Sequence, residues 1–139
     1  MISSITNQGK VRFMLYQEKM SSPILIRFMS RLIKDCEQKV FLILDNLHVH
    51  HSKKVAKWLG KHSGKIAVFY LPPYAPEYNP DEYLNGGLKK HIRSGLVPRS
   101  QDDISKKTRS FMRTLQRQSH KVISLFQHPK IAYAANVTI

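Results

Sequence analysis

The sequence predicts an α/β fold built around a mixed sheet, and three patterns carry this prediction. Two short strand patterns, Ile2–Thr6 and Val11–Tyr16, flank the turn Asn7-Gln8-Gly9-Lys10, as expected for an antiparallel hairpin. Two further runs, Val40–Leu44 and Ile66–Leu71, are continuously apolar and of strand length, which is typical of strands buried on both faces. Because a helical pattern separates these two runs, we expect a parallel pair covered by helices.

Five helices are predicted from apolar spacing, capping residues and the charges at their ends. Ser22, which precedes Pro23, and Ser52 are the predicted N-caps. In the second helix, Val55, Ala56 and Leu59 are predicted to face inward. The third helix opens with acids and closes with basic residues, as the helix dipole favours. The predicted helices span Pro23–Lys34, Lys53–His62, Asp81–Arg93, Ile104–Gln118 and Ser119–Gln127.

Length, cysteine usage and hydropathy exclude several classes of protein. A chain of 139 residues corresponds to one modest domain or a piece of a larger one. A single cysteine, Cys36, excludes an intramolecular disulfide framework, and there is no CxxC spacing of a structural zinc site. The apolar runs are too short to span a bilayer and the N-terminus does not resemble a signal peptide, so a cytoplasmic protein is expected.

The formal net charge of +14 makes a polyanion the first partner to consider, with nucleic acid ahead of a membrane surface. Residues 88–139 carry a net charge of +9, so the C-terminal part of the chain is predicted to be a basic helical tail, 94–139. We expect this tail to belong to one domain, 1–139, whose sheet and core helices lie in 1–93. Basic residues on helices are either a solvated face or contacts to DNA phosphates. The candidates for phosphate contacts are Lys53, Lys54, Lys57, Lys89, Lys90 and Arg93.

Two carboxylates are candidates for chemistry. Asp45 directly follows the strand run that ends at Leu44. Glu82 lies in the first turn of the helix after Pro72–Pro80, a segment whose prolines predict a rigid loop. Taken singly, an Asp after a strand is often a turn residue, and an early Glu often stabilises the helix dipole. Together, in a basic protein, they indicate a hard-cation site for phosphoryl transfer at the carboxyl edge of the sheet.

Nearby rings leave alternatives open. His48, His50 and His51 follow the first carboxylate and offer transition-metal ligands, but adjacent rings at 50 and 51 do not readily point at one ion. His51 is instead a candidate for orienting a metal ligand or contacting DNA. Tyr74 and Tyr78 either pack the rigid loop or stack on a nucleobase.

The segment Leu44-Asp45-Asn46 with His50-His51, and then Tyr70-Leu-Pro-Pro-Tyr-Ala-Pro-Glu-Tyr-Asn-Pro-Asp-Glu82, resembles transposases of bacterial insertion sequences in the Tc/mariner superfamily. The resemblance extends over nearly the whole chain, and 36 residues separate Asp45 from Glu82, close to the family interval. It implies an RNase H-like fold with an Asp-Asp-Glu metal triad. Two Mg²⁺ or Mn²⁺ ions in the complete family site would support cleavage and strand transfer on double-stranded DNA, at transposon ends and target.

By motif match, Asp45 would be the second acid of the triad and Glu82 the third, both as metal ligands. Asn46, His51 and Asn79 are then candidates for orienting those ligands. The family's first acid lies on the central strand of the sheet, before the hairpin with which this chain opens, and the glycine pair Gly86-Gly87 departs from the family pattern.

The resemblance therefore implies the C-terminal part of the catalytic domain, lacking the first strand of the fold and inactive alone. An upstream transposase fragment or a second copy of the chain would be its protein partner, and the expected location is the nucleoid in the cytoplasm. The alternative is a non-catalytic, basic nucleic-acid-binding relic of a transposase. In the catalytic interpretation, the carboxylates of Asp45 and Glu82 are expected on the same edge of the sheet.

Overall fold

The computed structural model describes residues 1–45, 48–73 and 75–135, with the backbone only at residue 48. The strands and helices follow one another as the α/β interpretation requires, with short 3-10 turns at His48–His51, Pro76–Tyr78 and Pro129–Ile131. In chain order the elements are β1 (Ile2–Ile5), β2 (Val11–Met14), α1 (Ser22–Lys34), β3 (Val40–Leu44), α2 (Lys53–Lys61), β4 (Ile66–Tyr70), α3 (Pro80–Arg93), α4 (Gln101–Gln116), α5 (Ser119–Leu125) and α6 (Ala132–Ala135).

The described strands form two separate two-stranded sheets, β1–β2 and β3–β4. The chain divides into two compact units, each with one of these strand pairs. The parallel unit comprises Tyr16–Pro76 together with Ile2, and the hairpin unit comprises Met1, Ser3–Leu15 and the chain from Glu77 onward. The predicted α/β class is confirmed, with an antiparallel hairpin and a parallel pair.

In the parallel unit, β3 and β4 pair in parallel from Val40 opposite Ile66 to Leu44 opposite Tyr70. The predicted limits of β3 are confirmed, but the prediction that both faces are buried is wrong. Leu42 is buried, whereas Phe41 and Ile43 are exposed and Phe69 retains 54% of its accessible surface. Successive side chains of a strand point to opposite faces, so covering one face of this pair leaves the other face open.

Each helix of the parallel unit has a serine as its N-cap. Ser21, not Ser22, is the N-cap of α1, and the Ser22 hydroxyl donates instead to the hydroxyl of Ser52 at 2.7 Å. Ser52 is the N-cap of α2, as predicted, and accepts a hydrogen bond from the backbone N–H of Val55. Val55 is fully buried but Ala56 is exposed. Neighbouring helical positions differ by about 100° around the axis, so both cannot face one narrow contact.

In the hairpin unit, strands β1 and β2 pack against helices α3, α4 and α5. The buried core consists of Val11, Leu84, Met112, Leu115 and Val122. The side-chain amide of Gln116 donates to the carbonyl of Val11 at 3.0 Å, which ties α4 to β2. This hydrogen bond joins residues 105 positions apart in the sequence, and the core likewise joins β2 to helices far from it in the chain.

Helices α3 and α4 begin earlier than predicted. Pro80 is the first residue of α3, with Asn79 as the N-cap, and α3 runs unbroken through its glycine pair. Helix α4 begins at Gln101 because the Ser100 hydroxyl accepts from the backbone N–H of Asp103 and thereby caps the helix. Within the described ranges, every helix is too short or too polar to cross a membrane.

Candidate active site

Asp45 lies at the carboxyl end of β3, directly after Leu44. Its carboxylate oxygen Oδ1 is 3.1 Å from Nδ1 of His50, and the same nitrogen is 2.8 Å from the backbone carbonyl oxygen of Asp45. His50 is only 5% exposed, whereas the side chain of Asp45 keeps 36% of its accessible surface. The structure thus places an accessible carboxylate at a strand end, held from the protein side by a buried ring.

The hydrogen-bond partners of His50 determine where its proton lies. Both atoms near Nδ1 are oxygens of Asp45 that act as acceptors, so Nδ1 must carry the hydrogen. Burial lowers the pKa of His50, but the hydrogen bonds and negative charge of Asp45 raise it by more, so the pKa lies above its ordinary value. The Asp45 carboxylate therefore accepts a hydrogen bond from the His50 ring, and its negative charge makes that ring more basic.

The 3-10 turn His48–His51, which carries this ring, is itself fastened to β4. The Tyr70 hydroxyl donates to the carbonyl oxygen of His50 at 2.7 Å. Burial raises the pKa of Tyr70, so the hydroxyl remains a donor at neutral pH. The ring of His51 stacks on the ring of Tyr70 with centroids 4.1 Å apart. Of the two adjacent histidines, His50 therefore contacts the carboxylate of Asp45, while His51 contributes to holding the turn.

Glu82 lies in the first turn of α3 and is exposed. The side-chain oxygen of Asn79 accepts from the backbone N–H of Asp81 at 3.0 Å, so this residue acts as the helix cap. The carboxylate of Asp81 accepts a hydrogen bond from the Ser3 hydroxyl at 2.7 Å. Of the two acids at the start of the helix, Asp81 thus anchors α3 to β1, and Glu82 extends into solvent.

The short turn before α3 is fastened by tyrosines whose role the sequence did not reveal. Tyr83 donates to the carbonyl of Glu77 at 3.1 Å, and Tyr133 donates to the carbonyl of Tyr78 at 2.6 Å. Tyr83 also packs against the ring of His128. Residues near the C-terminus therefore help to fix the approach to Glu82, and only the long-range contacts show it.

The remaining predicted site residues fall into two groups. Asn46 and Tyr74 lie outside the described residues. The basic candidates are exposed, on α2 in the parallel unit and on the C-terminal half of α3 in the hairpin unit: Lys53, Lys54, Lys57, Lys89, Lys90 and Arg93. Asp45 and Glu82 likewise belong to different units, so their placement on one sheet edge stays a prediction.

A sequence profile for the family described as DDE superfamily endonuclease matches residues 1–105, three quarters of the chain. The chain belongs to this family. A relative of this DDE-family chain in Shigella sonnei, described as "Insertion element IS630 uncharacterized 39 kDa protein", is 33% identical over 97 residues. That match covers 68% of this chain and 28% of the relative, so the DDE-family chain spans under a third of that protein's length.

Solved structures show the same fold for the DDE-family chain. The catalytic domain of Mos1 mariner transposase matches with a TM-score of 0.57 and 16% identity, covering 96% of this chain and 72% of that one. A second structure, of the Mos1 catalytic domain with raltegravir and Mg, matches with the same TM-score and covers 73% of its chain. The predicted resemblance to insertion-sequence and mariner transposases, with its RNase H-like fold, is confirmed.

The candidate ligands of the DDE-family chain are of the chemical type that binds divalent cations. Asp45 and Glu82 offer the hard carboxylate oxygens that Mg²⁺ and Mn²⁺ prefer. Only Oδ1 of Asp45 is engaged by His50, and no partner of Oδ2 is found among the described residues. Within the part of the chain that the structure describes, no three His, Cys, Asp or Glu side chains lie close enough together to hold an ion. The zinc alternative stays a hypothesis, because it includes the side chain of His48, which lies outside the described residues.

Proposed function

We propose that this chain is a transposase-derived domain for metal-dependent phosphoryl transfer on DNA, in which Asp45 and Glu82 are metal ligands. The observation that carries the proposal is the position of Asp45, at the end of a parallel strand with its carboxylate both accessible and held. Glu82, exposed in the first turn of a helix, lies within the family match. Bound divalent ions would activate the attacking oxygen and stabilise the leaving oxygen of the scissile phosphate.

In this function the protein's own residues bind and orient. Asp45 and Glu82 supply oxygen ligands from rigid backbone, one from a strand end and one from a helix start. Asn46, His51 and Asn79 remain proposed as neighbours that orient those ligands, and the capping bond from Asn79 supports such a role for that residue. Positions on regular elements hold ligands more accurately than positions on long loops do.

The proposed substrate is double-stranded DNA, at transposon ends and target. The net charge of +14 and the exposed basic residues of α2 and α3 support phosphate contacts, which bind DNA without reading its sequence. A location at the nucleoid in the cytoplasm follows from that substrate.

We further propose that the chain alone has little or no strand-cutting activity. The family triad has three acids, and the motif supplies two of them, Asp45 and Glu82. The chain also matches only 28% of the length of its Shigella sonnei relative. An upstream transposase fragment or a second copy of the chain would supply what is missing.

A non-catalytic DNA-binding relic is the alternative function, and the strongly basic charge favours it as well as the catalytic one. The reading frame upstream of the Met1 codon distinguishes the two origins. A frame that overlaps this one and ends in a strand with an aspartate would indicate a split or frameshifted enzyme. Stop codons in all frames would indicate a relic.

A plasmid-nicking assay in Mg²⁺ or Mn²⁺ tests the catalytic assignment. Purified wild-type chain, Asp45→Ala and Glu82→Ala are each expected to leave supercoiled plasmid largely intact. If the upstream fragment is added, nicking should appear with the wild-type chain and not with either variant. Strong nicking by the wild-type chain alone that both substitutions abolish would show that inactivity in isolation is wrong. Nicking with the added fragment that neither substitution reduces would overturn the assignment of the two ligands.

A further inference from the structure

We infer that His50 is a positioning residue for Asp45: its Nδ1–H holds the carboxylate oxygen Oδ1 and leaves Oδ2 for a divalent ion. This inference rests on the proposed role of Asp45 as a metal ligand. It assigns the contact to His50, whereas the motif had suggested His51 for a role beside the metal.

The contact with His50 restrains the rotation of the Asp45 side chain about its Cα–Cβ and Cβ–Cγ bonds. The single Nδ1–H lies between the backbone carbonyl oxygen of Asp45, at 2.8 Å, and the carboxylate Oδ1, at 3.1 Å. A donor shared by the main chain and side chain of one residue holds the carboxylate in a fixed direction relative to its own backbone. Without it, an aspartate that keeps 36% of its side-chain surface would sample several rotamers.

The histidine can restrain Asp45 because its own position is fixed. The ring is 5% exposed, and the backbone carbonyl of His50 accepts the Tyr70 hydroxyl bond at 2.7 Å. Tyr70 ends β4, and Asp45 directly follows β3, so the two ends of the contact belong to paired strands. The connection therefore runs through regular structure rather than through a free loop.

A second histidine of the same unit, His62, makes a comparable contact with a backbone carbonyl. Nδ1 of His62 is 2.8 Å from the carbonyl oxygen of Trp58, and the two rings stack at 4.2 Å. That ring thus makes a local backbone contact like that of His50, but among the described residues its hydrogen-bond partner is a carbonyl and not a carboxylate. His62→Leu is therefore the matched control for His50→Leu.

The test measures Mn²⁺ binding by the full chain, from the broadening of ¹H–¹⁵N signals near Asp45 during a titration with MnCl₂. His50→Leu is expected to weaken Mn²⁺ binding by about 10–100-fold, the usual effect of removing a partner that orients a metal ligand. His50→Asn should restore binding close to wild type because its amide N–H lies where Nδ1–H lies. His62→Leu should leave the affinity unchanged.

The outcomes separate this inference from the proposed function. Loss of binding in Asp45→Asn together with wild-type binding in His50→Leu would overturn the positioning role alone. Equal weakening in His50→Leu and His50→Asn would also overturn it, because packing rather than the donor would then matter. No binding by wild type, or full binding by Asp45→Asn, would overturn the metal role of Asp45 and the inference with it.

One measurement on the wild-type chain needs no variant to fold. Side-chain ¹⁵N shifts of His50 in its neutral form should show hydrogen on Nδ1 and a lone pair on Nε2. The opposite tautomer would contradict the inference directly, because an unprotonated Nδ1 cannot donate to either oxygen of Asp45.

Discussion

Gly9 lies against Ser119 so closely that a Cβ atom on Gly9 would be 2.7 Å from the Ser119 carbonyl oxygen and 2.8 Å from its Cβ. Gly9 also has a φ of +89°, a conformation that side chains disfavour. The hairpin turn therefore contacts the start of α5 at a point where backbone meets backbone. Glycine is favoured at this position for two reasons: it adopts a positive φ without strain, and it has no Cβ atom to collide with Ser119.

Gly9→Ala is expected to destabilise the chain by about 1–3 kcal/mol, because the strained φ and the contact with Ser119 act together. The free energy of unfolding from urea titration checks this. Gly86→Ala is the control in the same unit, since a Cβ there meets nothing within 4 Å. It should stabilise α3 by about 0.5–1 kcal/mol through helix propensity alone. Equal effects of the two substitutions would contradict the close contact.

Weak, sequence-independent binding to duplex DNA that falls steeply with salt is expected from the net charge of +14. Replacing Lys53, Lys54 and Lys57 by alanine should reduce the slope of log K against log salt by about 0.9 for each phosphate that the chain no longer neutralises. Fluorescence anisotropy over a range of NaCl concentrations measures this slope.

The control for DNA binding removes the same charge elsewhere in the parallel unit, with Lys19, Lys34 and Lys65 replaced by alanine; all three are exposed. A slope reduced equally by both triple variants would mean that total charge, and not the face of α2, determines binding. Affinity that does not change with salt would contradict the electrostatic basis altogether.

The segment after α3 is held by one lysine. The ammonium of Lys107 donates to the carbonyl oxygens of Ile92, Ser94 and Leu96, at 3.4, 3.2 and 2.6 Å. Leu96 itself is 87% exposed, so few apolar contacts add to these hydrogen bonds in holding the segment. Lys107→Met should speed trypsin cleavage between residues 93 and 100 about fivefold, corresponding to about 1 kcal/mol in the free energy of local opening.

Mass spectrometry of trypsin fragments over time measures that rate. Lys106→Met is the matched control, because the neighbouring lysine is exposed, carries the same charge and offers trypsin an equivalent site. Similar cleavage rates in the two variants would show that the three carbonyl contacts do not hold the segment.

Tyr70→Phe removes the hydroxyl that holds the carbonyl of His50 but keeps the ring that stacks on His51. We expect a decrease of about 0.5–1.5 kcal/mol in the free energy of unfolding, the net value of one hydrogen bond. Tyr16→Phe in the same unit is the control, since no hydrogen bond of its hydroxyl is found among the described residues. A neutral Tyr70→Phe would show that the turn needs only the ring contact.

Local patterns in the sequence were enough to predict four strands and the first five helices approximately, and to propose the two carboxylates as site residues. The run Val40–Leu44 is β3, Ser52 caps α2, and the proline-rich segment directs the chain into the helix that carries Glu82. These features depend on backbone propensity, capping and hydrophobic periodicity within a few residues, all of which can be recognised in a sequence. The position of Asp45 after β3 followed from the same short-range pattern.

Long-range packing decided the rest. Only the fold shows that His50 contacts the carboxylate of Asp45 and that the ring of His51 stacks on Tyr70, since adjacent residues look alike in a motif but point in different directions. Only the fold brings Ser119 against Gly9 and leaves Phe69 exposed on a strand whose composition predicted burial. A periodicity records which side of an element is apolar, but it does not record which distant residues will fill the space opposite that side.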